Sequence, residues 1–272
     1  MIQDIGSKHL DNTFYNFMPQ AEDFVIGFQD GRVFCTVEDG ALQYPRYGQL
    51  TEVGTCTYLF AIDETRYFLA MGTLKAHGFD YHGLGILRKL GPRDRSYAGV
   101  TAYHLDQWYR THRFCGACGH PTVFSTTERR IDCPECGCQT YPQIAPCIIV
   151  GVTNGDRLLL TRYAGRSYRR YALIAGFTEI GETSEDTVRR EVWEEVGLHI
   201  KNIRFYKSQP WGYSSSLLMG YFAELDGDST ITLEEDELSE GVWLRPEEIE
   251  FEDDGISLTG EMIRKFMEEG KL

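Results

Sequence analysis

Between residues 176 and 198 the chain sets three glutamates, Glu191, Glu194 and Glu195, at i, i+3 and i+4. On an α-helix that spacing puts three carboxylates on one face. Like charges crowded in this way repel one another, so the pattern calls for a compensating cation. Mg2+ and Mn2+ are the simplest answer, being hard ions that take carboxylate oxygen and keep water positions open for phosphates. The flanking residues suit a loop that runs into a helix over 184–196. Gly176 and Gly181 permit a tight loop. Thr183 or Ser184 offers an N-cap, and Gly197 stands where a helix end favours a left-handed residue. Val188 and Val192 supply an apolar stripe. Glu182 and Arg190 carry the charges to brace loop against helix, and both read mainly as structural. A solvated, Glu-rich helix is the bland alternative; it leaves the glycines, Glu182 and the Arg190-Glu191 pair without a role.

The charge balance sharpens the need for metal. The 272 residues include 27 Lys and Arg against 41 Asp and Glu, a formal net charge of −14. Such a surface repels phosphate chains and disfavours broad electrostatic binding to nucleic acid. A phosphorylated substrate then needs a local answer to its charge. The runs Glu234-Glu235-Asp236-Glu237 and Glu250-Phe251-Glu252-Asp253-Asp254 also fit solvated faces. No apolar run approaches the ~18–20 residues that span a bilayer. The start, Met1-Ile2-Gln3-Asp4-Ile5, lacks the basic-then-apolar pattern of a signal peptide. A cytoplasmic protein without a membrane partner is expected.

Four of the eight cysteines, Cys115, Cys118, Cys133 and Cys136, form two Cys-x-x-Cys pairs with fourteen residues between them. That spacing suits tetrahedral Zn2+, and four thiolates leave no open position, so the ion would be structural. Gly119 and Gly137 follow the pairs, where such knuckles turn. An iron–sulfur cluster or a redox dithiol is the alternative. Arg129 and Arg130 are the basic residues that stand out inside the segment, which favours a stapling role over nucleic-acid binding. Cys138 is a spare thiol, and Cys147 sits in an apolar run.

Short apolar or alternating runs at 24–28, 32–37, 56–62 and 67–71, separated by signals such as Asp30-Gly31 and Asp63-Glu64, predict a β-rich start. Helical spacing covers 94–112. After Pro142 come two strands, 147–153 and 157–162, joined at Asn154-Gly155-Asp156. Further strands are predicted at 200–208, 217–225 and 241–245, with a closing helix over 260–269.

Residues 176–198 resemble the Nudix box, Gly-x5-Glu-x7-Arg-Glu-U-x-Glu-Glu-x-Gly-U with U apolar, at every fixed position. A four-cysteine segment directly before such a box, with Tyr141-Pro142-Gln143-Ile144-Ala145-Pro146 at the entry, is similar to the NADH pyrophosphatase family of Nudix hydrolases over roughly 95–272. The resemblance implies an α+β chain: a Nudix α/β/α sandwich with a mixed sheet (142–272), preceded by a β-rich domain (1–112) and a zinc ribbon (113–141). It implies that Glu191, Glu194 and Glu195 hold Mg2+ or Mn2+ against a diphosphate. Glu237 aligns with a downstream acidic residue that helps in related enzymes, and Glu195 and Glu237 are both candidates for the base. A second family signature, Ser-Gln-Pro-Trp-Pro-Phe-Pro-x-Ser, reads here Ser208-Gln209-Pro210-Trp211-Gly212-Tyr213-Ser214-Ser215-Ser216. Two prolines are lost, which frees the loop.

By the same resemblance Phe177 and Trp211 stack on a base or nicotinamide ring, against the alternatives of a buried core ring and a packed surface aromatic. Gln209 hydrogen-bonds the substrate and Tyr141 approaches it. The activity implied is hydrolysis of NAD(H) to nicotinamide mononucleotide and AMP, extending to NAD caps on RNA 5′ ends, by a homodimer. Alternatives are another nucleotide substrate (ADP-ribose, coenzyme A, FAD or a dinucleoside polyphosphate) or a non-catalytic nucleotide- or nucleic-acid-binding module.

Overall fold

The computed structural model describes residues 1–165, 170–234 and 236–270, so Glu235 of the first acidic run lies outside the described residues. Two compact units divide the chain. One comprises Ile2–Gln143 and Gly212–Ser215; the other comprises Met1, Ile144–Trp211 and Ser216–Leu272.

The first unit is built mainly of strands: β1 (Leu10–Asp11), β2 (Phe24–Gln29), β3 (Arg32–Glu38), β4 (Ala41–Gln43), β5 (Leu50–Ile62), β6 (Thr65–Ala76) and β7 (Asp80–Gly83). They form one sheet in the order β1-β5-β6-β2-β3-β4, with β7 on β3. Asp30-Gly31 closes the β2–β3 hairpin with φ of +51° and +69°, the left-handed pair that two-residue hairpins require. Short α1 (Ile86–Lys89) leads to α2 (Arg93–Thr111), which buries Ala98, Val100, Ala102, Leu105 and Trp108. A separate three-stranded sheet, β10-β9-β8, follows, made of β8 (Val123–Phe124), β9 (Ile131–Asp132) and β10 (Gln139–Thr140).

The second unit has a mixed sheet between two helices. Its elements are β11 (Ala145–Asn154), β12 (Arg157–Tyr163), β13 (Ile174–Phe177), α3 (Ser184–Val196), β14 (Ile200–Trp211), β15 (Ser216–Leu225), β16 (Leu238–Leu244) and α4 (Leu258–Glu269). The order is β14-β15-β11-β12-β16, with β11 and β15 parallel and the other pairs antiparallel. Alternation along β11 separates the two cores. Ile148, Val150 and Val152 pack with Val188, Val192 and Val196 of α3. Ile149 goes to the opposite layer, with Leu258, Met262, Ile263 and Phe266 of α4. This is the α/β/α sandwich that the sequence implied.

The sequence reading does not place β1, β4, β7 and α1 of the first unit, nor β13 of the second. β11 and β12 pair only at their hairpin end, Thr153↔Leu158 and Asn154↔Arg157, and then part. β13 fills the gap, pairing with β11 from Cys147↔Phe177 to Val150↔Ile174, while Ala172 bridges Thr161 of β12. β14 also runs on to Trp211, past the predicted end at 208.

Candidate active site

β13 ends at Phe177 and the chain turns into α3, so the loop between them sets the geometry of the site. The Thr183 hydroxyl accepts a hydrogen bond from Asp186 N (3.2 Å) and caps α3. Gly197 ends the helix at φ +68°. Val188, Val192 and Val196, all fully buried, fix which face of α3 meets the sheet. The glutamates one step round the helix are therefore fixed as well.

Arg190 gathers the acidic groups. Its Nε donates to Glu182 Oε1 (2.6 Å) and its Nη2 to Glu182 Oε2 (3.0 Å) and the Phe177 carbonyl (3.0 Å). Its Nη1 donates to both Glu191 Oε1 (2.8 Å) and Glu194 Oε2 (2.9 Å). Glu182 in turn accepts from Glu179 N (3.1 Å) and from the Thr187 hydroxyl (2.9 Å). Loop and helix are thus locked by one guanidinium. Hydrogen bonds from Arg190 hold the Glu182 carboxyl down at about 2, well below the carboxylate range. Thr187 escaped the sequence reading; its only signal was a hydroxyl on the helix turn after Glu182.

The three helix glutamates are not equivalent. Glu194 is exposed and Glu195 is buried. Glu191 lies between them, its carboxyl packed against Gly176, where a β-carbon would come within 1.9 Å of the Glu191 Cδ. Burial raises the Glu191 pKa; Arg190 opposes that, and the neighbouring Glu194 and Glu237 charges add to it. Glu237 is exposed, on a segment tied to the end of α3 by Glu234 N to the Glu195 carbonyl (3.0 Å) and Thr232 N to the Val196 carbonyl (3.0 Å).

The donor set fits a hard divalent cation. Glu191 and Glu194 both meet the Arg190 Nη1 and offer carboxylate oxygens, the hard donors that such a cation takes. Arg190 brings Glu191 and Glu194 together, while among the described residues the group of three or more ligands close enough to share one ion is the four ribbon cysteines and not these two with Glu195 and Glu237.

The expected substrate contacts fare unequally. Phe177 is 53% exposed, so it is not a core ring. Trp211 is half-buried at the end of β14, paired with Ser216. Tyr141 belongs to the other unit, where its hydroxyl donates to Glu128 Oε1 (3.3 Å). Gln209 lies away from solvent. It is completely buried; its Nε2 donates to the Ile256 carbonyl (2.8 Å) and its Oε1 accepts from Leu258 N (2.7 Å). Both ends of the amide meet the backbone at the entry to α4. The altered Gly212 also has a physical reason, since a β-carbon there would lie 2.4 Å from the Val100 carbonyl oxygen.

The four ribbon sulfurs all lie within 4.8 Å of one another. Cys115–Cys136 are 3.6 Å apart and Cys118–Cys133 3.5 Å, far beyond an S–S bond of about 2.05 Å. Zn–S bonds of about 2.3 Å in a tetrahedron place sulfurs about 3.8 Å apart, so the thiols are set for zinc. Gly119 and Gly137 turn the knuckles at φ +77° and +74° and return their N–H groups to the carbonyls of Cys115 and Cys133. Arg129 is spent on Asn12 and the Leu59 carbonyl, and Arg130 on Glu128 and Asp132.

Residues 143–266 match the family described as the NUDIX domain, and residues 110–141 match the NADH pyrophosphatase zinc ribbon domain. The chain carries a Nudix domain behind an NADH pyrophosphatase-type zinc ribbon. Over 170 residues it is 39% identical to the NAD-capped RNA hydrolase NudC of Salmonella typhi and to that of Citrobacter koseri. Those matches cover 62% of this chain and 66% of each relative, just under two thirds of their length. Among solved structures, a NUDIX hydrolase from Nitrosomonas europaea shares the Nudix fold, with a TM-score of 0.51 and 24% identity over 58% of this chain and 91% of that one.

Proposed function

We propose that this protein hydrolyses the diphosphate of NAD(H) to nicotinamide mononucleotide and AMP, and removes NAD caps from RNA 5′ ends. The observation that carries the reading is the Nudix glutamate cluster organised by Arg190, joined in one chain to a ribbon of the NADH pyrophosphatase type. The relatives named NAD-capped RNA hydrolase support both substrates, because the scissile bond is the same in each.

Glu191, Glu194, Glu195 and Glu237 would hold Mg2+ or Mn2+. When bound, these ions polarise the phosphoryl oxygens and offset charge developing on the leaving phosphate. Arg190 keeps Glu191 and Glu194 at one place while bracing the loop through Glu182. A carboxylate, Glu195 or Glu237, takes the proton from the attacking water. Phe177 and Trp211 stack on the flat rings of the substrate. Zinc staples the ribbon and takes no part in the chemistry.

Eight free cysteines, four of them set for zinc, suit a reducing cytoplasm. Among the described residues no helix is long and apolar enough to cross a membrane. Resemblance to the NADH pyrophosphatase family supports a homodimer.

Incubation of NADH with the protein and Mg2+ or Mn2+ in 18O-labelled water, followed by product analysis, tests the reading. The two mononucleotides should appear, one carrying the label. The altered Gly212-Tyr213-Ser214 segment favours a second reading, in which another nucleotide diphosphate is preferred. Turnover of ADP-ribose far above that of NADH would decide for it.

A further inference from the structure

A cavity of about 490 Å³ opens in the unit formed by Ile2–Gln143, remote in sequence from the Nudix glutamates, and lies within the roughly 300–1,000 Å³ range of small-molecule sites. Its lining includes Met71 of β6, Tyr109 and Arg110 of α2, Arg113, and Phe124 of β8. Backbone irregularity shapes one wall. The β5–β6 register shifts between Val53 and Thr55, where Gly54 passes so close to Met71 that a β-carbon would meet its carbonyl at 1.9 Å. Gly72 follows at φ +96° with open space beside it. Such bulges re-aim side chains beside binding sites.

The chemistry of the walls is specific. The rings of Tyr109 and Phe124 meet at 4.6 Å with their planes 46° apart. Tyr109 is buried and forms a floor, while Phe124 keeps 41% of its surface exposed. Arg110 is committed to Asp106 (2.7 Å) and the Phe28 carbonyl (2.6 Å). The Arg113 side chain has no ion pair or hydrogen bond among the described residues, in a protein of net charge −14. No carboxylate lines the cavity among the described residues. An apolar, aromatic wall beside an uncommitted guanidinium matches a planar ring joined to an anion.

The geometry points to a second nucleotide-binding site here, with a base against Phe124, Tyr109 and Met71 and a phosphate on Arg113. The nucleotide is a free mononucleotide or one unit of a single-stranded RNA; the recognised chemistry is the same.

The test uses the zinc-loaded full chain and 8-azido-AMP as photolabel, with labelled peptides located by mass spectrometry. A labelled peptide within 109–124 is expected, competed by unlabelled AMP. Arg113→Gln and Phe124→Leu should each reduce that labelling at least tenfold, while thermal melting and NADH hydrolysis stay as in the parent. Arg113→Gln alters an exposed side chain, so loss of folding does not cloud the result. Competition by a single-stranded oligonucleotide better than by AMP identifies RNA as the source, and the reverse identifies a free nucleotide. Labelling confined to 143–266, labelling of 109–124 undiminished in both variants, or displacement by benzoate but not by AMP overturns the proposal. Because the readout is a labelled peptide outside the Nudix domain, it stands or falls apart from the NAD(H) reading.

Discussion

The carboxyl group of Glu191 occupies the space where a β-carbon on residue 176 would lie, 1.9 Å from the carboxyl carbon. The glycine that begins the acidic motif is therefore tied to the glutamate fifteen positions on. Gly176→Ala should displace the Glu191 carboxyl from the site. A misplacement of about 1 Å in a reacting constellation costs on the order of 100-fold in rate. We expect at least that loss in kcat/KM for NADH, with circular dichroism unchanged. Parent-like turnover by Gly176→Ala would show that the Glu191 position is immaterial.

Phe177 stands half in solvent at the end of β13 and contributes little to packing. Its replacement should spare stability and weaken ring binding. Stacking on an aromatic is worth about 1–3 kcal/mol per base, or roughly 5- to 150-fold in affinity. Phe177→Ala is expected to raise KM for NADH within that range, with the melting temperature within a degree or two of the parent. Steady-state kinetics beside a thermal melt separates this from a core role, which would lower the melting temperature and leave KM alone.

The Glu182–Arg190 brace has a pH signature. In the folded protein hydrogen bonding holds the Glu182 carboxyl down to about 2, against an ordinary value of 4.5. A depressed carboxylate contributes stability that is fully present above its unfolded pKa and is lost as pH falls through the folded one. The window is therefore pH 4.5 down to about 2. Glu182→Gln removes that contribution, so its melting temperature should fall less steeply than the parent's across this window. Parallel curves for the two proteins would mean that the pair does not couple to folding.

The ribbon sheet has three strands of two residues each, with Ile131 buried on the middle one. So little apolar area cannot order it unaided, whereas structural zinc contributes about 10–16 kcal/mol in comparable small domains. One Zn2+ per chain should be found by elemental analysis, and Cys118→Ser should reduce it. Hydrogen exchange in that variant should rise across 112–141. Full protection of that segment in zinc-depleted protein would assign its order to something other than the metal.

Much of this was legible in the residues because the signals are local. The four cysteines and the Glu191, Glu194 and Glu195 spacing each fit within one short segment, and the Thr183 cap and Gly197 stop bound a helix whose limits hold in the structure. What escaped depends on pairing across the chain. β13 has four residues and includes a glycine, and it is a strand only because β11 and β12 diverge to admit it. The pairing of β11 with β15 joins segments about seventy residues apart, which no periodicity announces. Thr187 and Gly176 acquire their roles only once Glu182 and Glu191 have been placed.

Gln209, which the family motif assigns to the substrate and the structure buries against backbone, yields the sharpest separation of structure from binding. Its buried amide satisfies the Ile256 carbonyl and the Leu258 N–H, the backbone groups on either side of the Ser257 cap of α4. Removing it leaves two buried polar groups unpaired, at about 1–3 kcal/mol each. Gln209→Leu, close in size, should therefore lower stability by about 2–6 kcal/mol in chemical denaturation, because neither orphaned group finds a partner. Gln209→Glu keeps an acceptor for Leu258 N–H but loses the donor to Ile256, and should fall between parent and Leu. A residue that touched substrate would behave otherwise, raising KM in the folded variant at little cost in stability. For Gln209→Leu assayed well below its melting temperature, KM for NADH should stay within about twofold of the parent. A tenfold rise in KM with an unchanged denaturation midpoint would return Gln209 to the substrate and take it out of the fold.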